Sequence, residues 1–535
     1  MKILAIIPVC EGSQSLPNKN LRVINGKPMV YYALNNALKS RYITDTIVTT
    51  NSDEVITIAR QMGAMVKKRR SELSSTSVSL DEVVFDVKDT VDFSQYDYIV
   101  TMQPISPILK HTTLDKAIER CISEQADTMI SVVDRAQYYW SKNQNGECVP
   151  LTHTRMNKHQ LPPFYMETGA FFITKPQCIK IDTRIGEKCS LYELESDEAL
   201  DVFTFGDLKQ AENILSRKKI AFYVNGNNIR GLGHIYRVLQ LADEFFTKPA
   251  IYFDSALTKA EYFGETNYNT IPVDGVGGLV DALRENGCDI LINDILSTEA
   301  DYMLRLKEAM PAMKIVNFED EGSGAEYADI VFNALYDEST ADNVRAGADY
   351  YIVPKLFLLC DPISINDRVK NVLVTFGGAD PMNYTDIVLS LAQEEKYRDI
   401  HFTFVIGRAK QNFESLLKCA CGNIKVLYDI TNMPDVMSRC DIALSSRGRT
   451  GYELAVLGIP AVSIAQNDRE ERHNFMSDKN GYLYIGYDPG EAVIEQTLDK
   501  LAFSDKETRA EMQRKLLSHD LRSGRKHIMN IIDNL

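Results

Sequence analysis

Gly231-Leu232-Gly233-His234 follows the apolar run Ile220–Val224, and Gly377-Gly378-Ala379-Asp380 follows the apolar run 372–376. A helix-like pattern comes after each turn. A strand, a glycine turn and a helix in succession bring backbone amides and a helix start against a phosphate. Two such units predict two α/β halves facing one cleft. His234 adds a proton-transfer group beside the first turn.

The same alternation continues outward from these turns. Strands are expected at Ile220–Val224, 249–253, 290–293 and Lys314–Phe318 in the first half, and at 372–376, His401–Ile406, 424–427 and 442–445 in the second. Asp361-Pro362 and the polar stretch to Asp367 part the halves into 218–367 and 368–535. The tail from Asp499 to Leu535 is helical in pattern and is expected to pack back across the halves. Ahead of the basic hinge Ser216-Arg217-Lys218-Lys219, residues 1–217 repeat the theme. Strands are expected there at 3–7, 46–50, 98–102 and 129–133, with amphipathic helices at 28–39 and 53–62. Strands alternating with helices imply mainly parallel sheets covered on both faces. The chain is therefore expected to be α/β throughout, and its 535 residues suit about three domains.

Composition narrows the partners. A net charge of -15 argues against nucleic acid, whose binding draws on clustered Lys and Arg. A single nucleotide needs only a local cationic patch. No apolar run is long enough to span a membrane, and the opening Met1-Lys2-Ile3-Leu4-Ala5-Ile6-Ile7-Pro8 reads as a first strand. The ten cysteines show no paired metal-ligand spacing, which suits a reduced, cytoplasmic protein.

Around the first glycine turn, Gly231 and Gly233 allow close approach to a ligand. His234 stands at a helix start, where the helix charge favours a neutral imidazole able to take a proton from water. Arg237 lies one turn on, on the same face. In the second half, Ser445-Ser446-Arg447-Gly448-Arg449-Thr450-Gly451-Tyr452-Glu453 follows a strand and opens a helix. Thr450 with the amides near it suits a diphosphate, Arg447 and Arg449 add positive charge, and Glu453 is placed for a ribose diol. Gly377, Gly378 and Gln466 line the same rim. Asn293-Asp294 and Glu319-Asp320 are candidates for sugar hydroxyls or amides, with Asp320 taken as the carboxylate beside the base. The alternatives are a histidine that only caps its turn and a solvated first-turn carboxylate at Glu453.

At the other end, Cys10-Glu11-Gly12-Ser13-Gln14 through Lys19 forms a loop at the carboxyl end of the first strand, where open α/β sheets bind ligands. With Met102-Gln103-Pro104-Ile105-Ser106-Pro107, Glu167-Thr168-Gly169-Ala170 and Asp201-Val202-Phe203-Thr204, this loop resembles the CMP-sialic acid synthetase family of cytidylyltransferases over nearly all of residues 1–217. The resemblance implies a Rossmann-like nucleotidyltransferase domain that couples CTP to a nine-carbon acidic sugar with Mg²⁺, and often a homodimer. It assigns Gly12, Ser13, Lys19, Lys27, Gln103 and Ser106 to CTP and Asp201 to the metal. The chain departs from the pattern at Cys10, Gln14 and Leu109, where the family has basic residues, and at Phe203, where it has a second acid. Two readings stay open: an active site shifted onto Lys19, Lys27, Lys110, Asp201 and Asp207, or a silent relative.

Residues 220–490 resemble the UDP-sugar hydrolase of pseudaminic acid biosynthesis, through 231–237, 376–381, 446–453 and Gly458-Ile459-Pro460. The resemblance implies a GT-B-like pair of Rossmann-like domains, the first holding the sugar and the second holding UDP. It also implies attack of water at the sugar C1 with His234 as base, and no cofactor for this part. The competing classes are a UDP-sugar glycosyltransferase, in which a sugar hydroxyl replaces water, and a non-catalytic sugar-nucleotide scaffold.

Overall fold

The computed structural model describes the whole chain except residues 11–14, 76–77, 152–153, 227–232, 337–338, 340, 409, 412 and 431. Two compact units divide it, Met1–Arg217 and Lys218–Leu535.

The first unit is built on a seven-stranded sheet. Its order is Cys189–Glu193, Thr128–Asp134, Tyr165–Thr174, Tyr98–Thr101, Ile3–Val9, Asp45–Thr50 and Met65–Lys68. Every side chain of Ile3–Val9 is buried, as a central parallel strand covered on both faces requires. Only Tyr165–Thr174 runs antiparallel to its neighbours. Its register shifts between Glu167 and Phe172, a bulge that brings Gly169 against Gln103 and Ile105. A Cβ at Gly169 would stand 2.6 Å from Ile105 Cδ1 and 3.3 Å from Gln103 Nε2, so only glycine lets these two segments close. Three helices start on side-chain caps: Ser52 for Asp53–Gln61, and capping boxes Ser79/Glu82 and Thr204/Asp207 for Leu80–Asp86 and Phe205–Leu215.

The second unit holds two wholly parallel sheets. The first half orders its strands Asn269–Val273, Ala250–Asp254, Ile220–Val224, Ile290–Asp294, Lys314–Phe318, Ile330–Asn333 and Val344–Ala346. The second half orders them Ile424–Tyr428, His401–Ile406, Asn371–Thr375, Ile442–Ser446, Ala461–Ala465 and Tyr482–Tyr487. These are the two parallel α/β halves expected from the glycine turns. Between the halves a shared core forms, in which Leu335, Tyr351 and Phe357 of the first pack with Tyr452, Phe475 and Leu516 of the second. Tyr452 is stacked between Tyr351 and Phe475, with ring centroids 4.0 and 4.1 Å away. Helix Gly524–Asp533 then returns to the first half, where Ile528 and Ile532 join Phe222, Ile251 and Phe332.

Candidate active site

Strands Ile290–Asp294 and Lys314–Phe318 are paired neighbours, so the residues at their carboxyl ends, Asp294 and Glu319, emerge side by side. Helix Gly233–Ala242 follows the adjacent strand and presents His234 and Arg237 to both. His234 Nδ1 lies 2.6 Å from Asp294 Oδ1. Arg237 grips Asp294 with two bonds, Nε to Oδ2 at 2.7 Å and Nη2 to Oδ1 at 2.6 Å, and reaches Glu319 Oε1 with Nη1 at 2.9 Å. All four side chains are buried.

Burial sets the protonation states. It is the largest influence on His234 and brings its pKa down to about 4, with Arg449 and Arg237 adding to the fall and Asp294 opposing it. Burial would raise Asp294, but Arg237 and His234 outweigh it and hold this carboxyl well below the usual range. An ionised Asp294 only accepts hydrogen bonds, so His234 carries its proton on Nδ1 and keeps Nε2 as an acceptor. Glu319 is shifted up by burial.

The second half meets this cluster through Arg449, whose guanidinium donates to the carbonyl of Gly233, the residue before His234. Tyr351 fixes the approach by donating to the Arg449 carbonyl at 3.2 Å. A cavity of about 180 Å³ opens here, lined by Gly233, Arg237 and Glu319 from one half and Arg449 and Glu453 from the other. Glu453 sits on the first turn of helix Thr450–Leu457, and burial pushes its carboxyl up to about 7. Gly233 of the histidine turn and Glu453 of this helix thus line one cavity, while the His234 and Thr450 side chains are not part of its wall.

Other expected residues lie elsewhere. Asp320 accepts from Thr298 N and Oγ1 at 2.8 and 2.6 Å, from Asn317 at 2.6 Å and from Gly322 N at 2.9 Å. Glu319 has φ 54, and this left-handed turn directs Asp320 back into the frame; Asp294 is the acid beside His234. Arg447 faces away from the cavity, donating to the carbonyls of Met476 and Glu471 with its guanidinium 3.7 Å from the Tyr484 ring. Gln466 Nε2 donates to the Phe376 carbonyl at 2.9 Å, tying the strand end to Gly377 and Gly378. Gly377 has φ 77, and a Cβ on Gly407 would stand 2.4 Å from Gly378 Cα, so backbone meets backbone at this turn. Gly231 lies outside the described residues.

In the first unit, Asp201 accepts from Ser106 Oγ and from Gly169 N at 2.8 Å, which joins three of the expected segments. Burial shifts Asp201 upward and Lys19 downward. Lys19 Nζ stands 5.2 Å from the ring of Phe203, the side chain at the second acidic position. Asp207 is used by the helix cap, accepting from the amides of Phe203 and Thr204. Leu109 is buried in the core. Lys27 is exposed, 5.4 Å from the Tyr31 ring. Gly12 and Ser13 lie outside the described residues. Among the described residues, no three His, Cys, Asp or Glu side chains group as a metal site, and no helix is long and apolar enough to cross a membrane.

Residues 4–227 match the family model described as Cytidylyltransferase. A protein of Helicobacter pylori described as pseudaminic acid cytidylyltransferase and UDP-2,4-diacetamido-2,4,6-trideoxy-beta-L-altropyranose hydrolase is 22% identical over 501 residues, covering 89% of this chain and 91% of that protein. The uncharacterized protein MJ1062 of Methanocaldococcus jannaschii is 29% identical over 280 residues, 47% of this chain, which spans little more than half (56%) of that relative. Among solved structures, Acinetobacter baumannii MurG aligns over 59% of this chain and 100% of its own, with 14% identity and a TM-score of 0.45. The chain therefore joins a cytidylyltransferase-like unit to a pair of parallel-sheet α/β halves, and its sequence aligns with the Helicobacter protein over most of both lengths.

Proposed function

We propose that this chain is a two-part enzyme of nonulosonic acid biosynthesis, whose second unit hydrolyses a UDP-diacetamido-trideoxyhexose at C1. The observation that carries this reading is the His234–Asp294 contact at 2.6 Å, beside a cavity that Arg449 and Glu453 close from the other half. Water attacks C1 as His234 Nε2 takes its proton, and the bond from C1 to the diphosphate oxygen breaks, leaving the electron pair on UDP. Arg449 and the amides at the start of helix Thr450–Leu457 are suited to that developing charge. Arg449 also lowers the proton affinity of His234. A diphosphate dianion arriving at Arg449 would offset this cation and make the imidazole a stronger base when substrate is bound. The scheme needs no metal. Purified protein given the UDP-sugar should release UDP, and His234→Ala should slow release by about 10²–10⁴. Release at the parent rate would remove His234 from the reaction.

For the first unit we propose a CTP-binding cytidylyltransferase relative whose transfer step is slow. Ser106 and Lys19 neighbour Asp201, but a divalent ion there would meet one carboxylate that already accepts two hydrogen bonds, and a phenyl ring. These residues fit a two-carboxylate Mg²⁺ site poorly. The exposed apolar side chains Trp140, Leu151, Phe164, Tyr165 and Met166 support a homodimer through this unit, and ten cysteines outside any disulfide suit the cytoplasm. Sedimentation of residues 1–217 as a monomer at micromolar concentration would contradict the dimer.

A further inference from the structure

Glu319 has a feature that the hydrolysis scheme leaves unused. Its side chain is 1% exposed and lines the cavity beside Phe318 and Arg237. Arg237 takes Oε1 at 2.9 Å, while Oε2 has no hydrogen-bond partner among the described residues. A buried carboxylate oxygen left bare is costly, and one that belongs to a cavity wall is placed for a ligand to complete it. The backbone is also held in an uncommon state, since Glu319 has φ 54 in a non-glycine residue and its N–H is fixed on the Phe332 carbonyl at 2.9 Å. Strain of this kind persists where the surroundings over-determine a residue, and it gathers at ligand sites. Arg237 Nη2 lies 3.4 Å from His234 Nδ1, so Glu319 is one guanidinium away from the imidazole.

We propose that Glu319 Oε2 is the sugar-reading acceptor of this cavity, taking a hydrogen bond from an N–H or O–H substituent on the hexose ring of the UDP-sugar. This rests on the reading of the second unit as a UDP-sugar site. The rest of the wall agrees with an amphipathic sugar. Phe318, Ala334, Tyr350, Ile352 and Pro354 offer apolar surface to methyl groups, and Glu319 stands beside them as a buried acceptor, with Glu453 in the wall contributed by the other half. A cavity of about 180 Å³ has room for one sugar ring, with the nucleotide left to the second half.

The test uses the full chain carrying His234→Ala, to prevent turnover, and calorimetric titration with UDP and with UDP-2,4-diacetamido-2,4,6-trideoxyhexose. The sugar nucleotide should bind more tightly than UDP. Adding Glu319→Gln should remove most of that increment, a loss of about tenfold, while UDP affinity stays within about twofold. Glu319→Asp keeps the charge that faces Arg237 and withdraws it from the cavity by one methylene, and the same loss is expected. Unchanged UDP affinity certifies that either variant is folded. An increment that survives in both variants overturns the assignment. If the parent chain binds the sugar nucleotide with a Glu319-dependent increment but releases no UDP, the acceptor role stands and the hydrolase reading fails.

Discussion

Asp294 is held from two sides at once: His234 meets one of its oxygens at 2.6 Å, and Arg237 donates to both. Asp294→Asn keeps the shape and removes the charge. Arg237 then loses its principal anion inside the protein, which should cost about 3–5 kcal/mol of unfolding free energy. Urea denaturation of the second unit reads this directly, and an unmoved midpoint would show that the pair is not coupled. Hydrolysis should fall as well, because a neutral amide no longer fixes the proton on Nδ1.

The depressed His234 pKa places its titration low. With Glu453→Gln in place to remove that carboxyl's titration, kcat/KM should stay level as pH falls from 7 to 5 and drop only near pH 4, where burial has put the folded-state pKa, instead of near the ordinary 6.5. The stability sign follows from the same shift. Between about 6.5 and 4 the unfolded chain binds a proton that the native one refuses, so this histidine makes the protein less stable as pH falls through that window. His473, also brought down to about 4 by burial, adds a component of the same sign. His234→Asn should remove its own share, which a pH series of denaturation midpoints would resolve.

Glu453 behaves oppositely. Its carboxyl titrates near 7, and the ionised form is the stronger acceptor for a ribose hydroxyl. UDP affinity should therefore rise by about fivefold from pH 6 to 8. In Glu453→Gln the profile should be flat. A pH-dependent rise that remains in the variant would assign the titration to another group, such as Glu470, which burial also pushes up to about 7.

In the first unit, Phe203 is 50% exposed, so replacing it disturbs little packing. Phe203→Asp supplies a second carboxylate near Asp201. CMP transfer from CTP to a nonulosonic acid should become Mg²⁺-dependent and faster by about 10². A parent chain that already transfers CMP at the variant's rate would show that the aromatic side chain does not limit this unit.

The chain's alternation of apolar runs and glycine turns was sufficient to read two parallel halves behind a further α/β unit, because buried parallel strands need continuous apolar runs; the likeness of that unit to cytidylyltransferases came from its loop motifs. The small, late or irregular strands were harder. Tyr165–Thr174 begins with three exposed residues and carries a bulge, so it has neither a clean alternation nor an unbroken apolar run. At the site, Gly-x-Gly-His-x-x-Arg pointed to His234 and Arg237 because helical spacing places them on one face. The choice between Asp294 and Asp320 depended on backbone geometry that residue types do not encode: one strand ends at Asp294, whereas the positive φ of Glu319 reverses the chain before Asp320. Arg447 and Arg449 look equivalent in sequence, yet Tyr484 captures one and the Gly233 carbonyl the other.

Ile528 and Ile532 complete the apolar layer over the strands that begin at Ile220. The half of the second unit that is made earlier is therefore finished by a helix that is made after the later half. During synthesis its sheet must wait with one face partly uncovered while the later half is made, which reverses the usual order of domain completion. A stop codon ahead of residue 524 would consequently damage the histidine-bearing half, far upstream in the message, before it harmed the half in which the truncation lies.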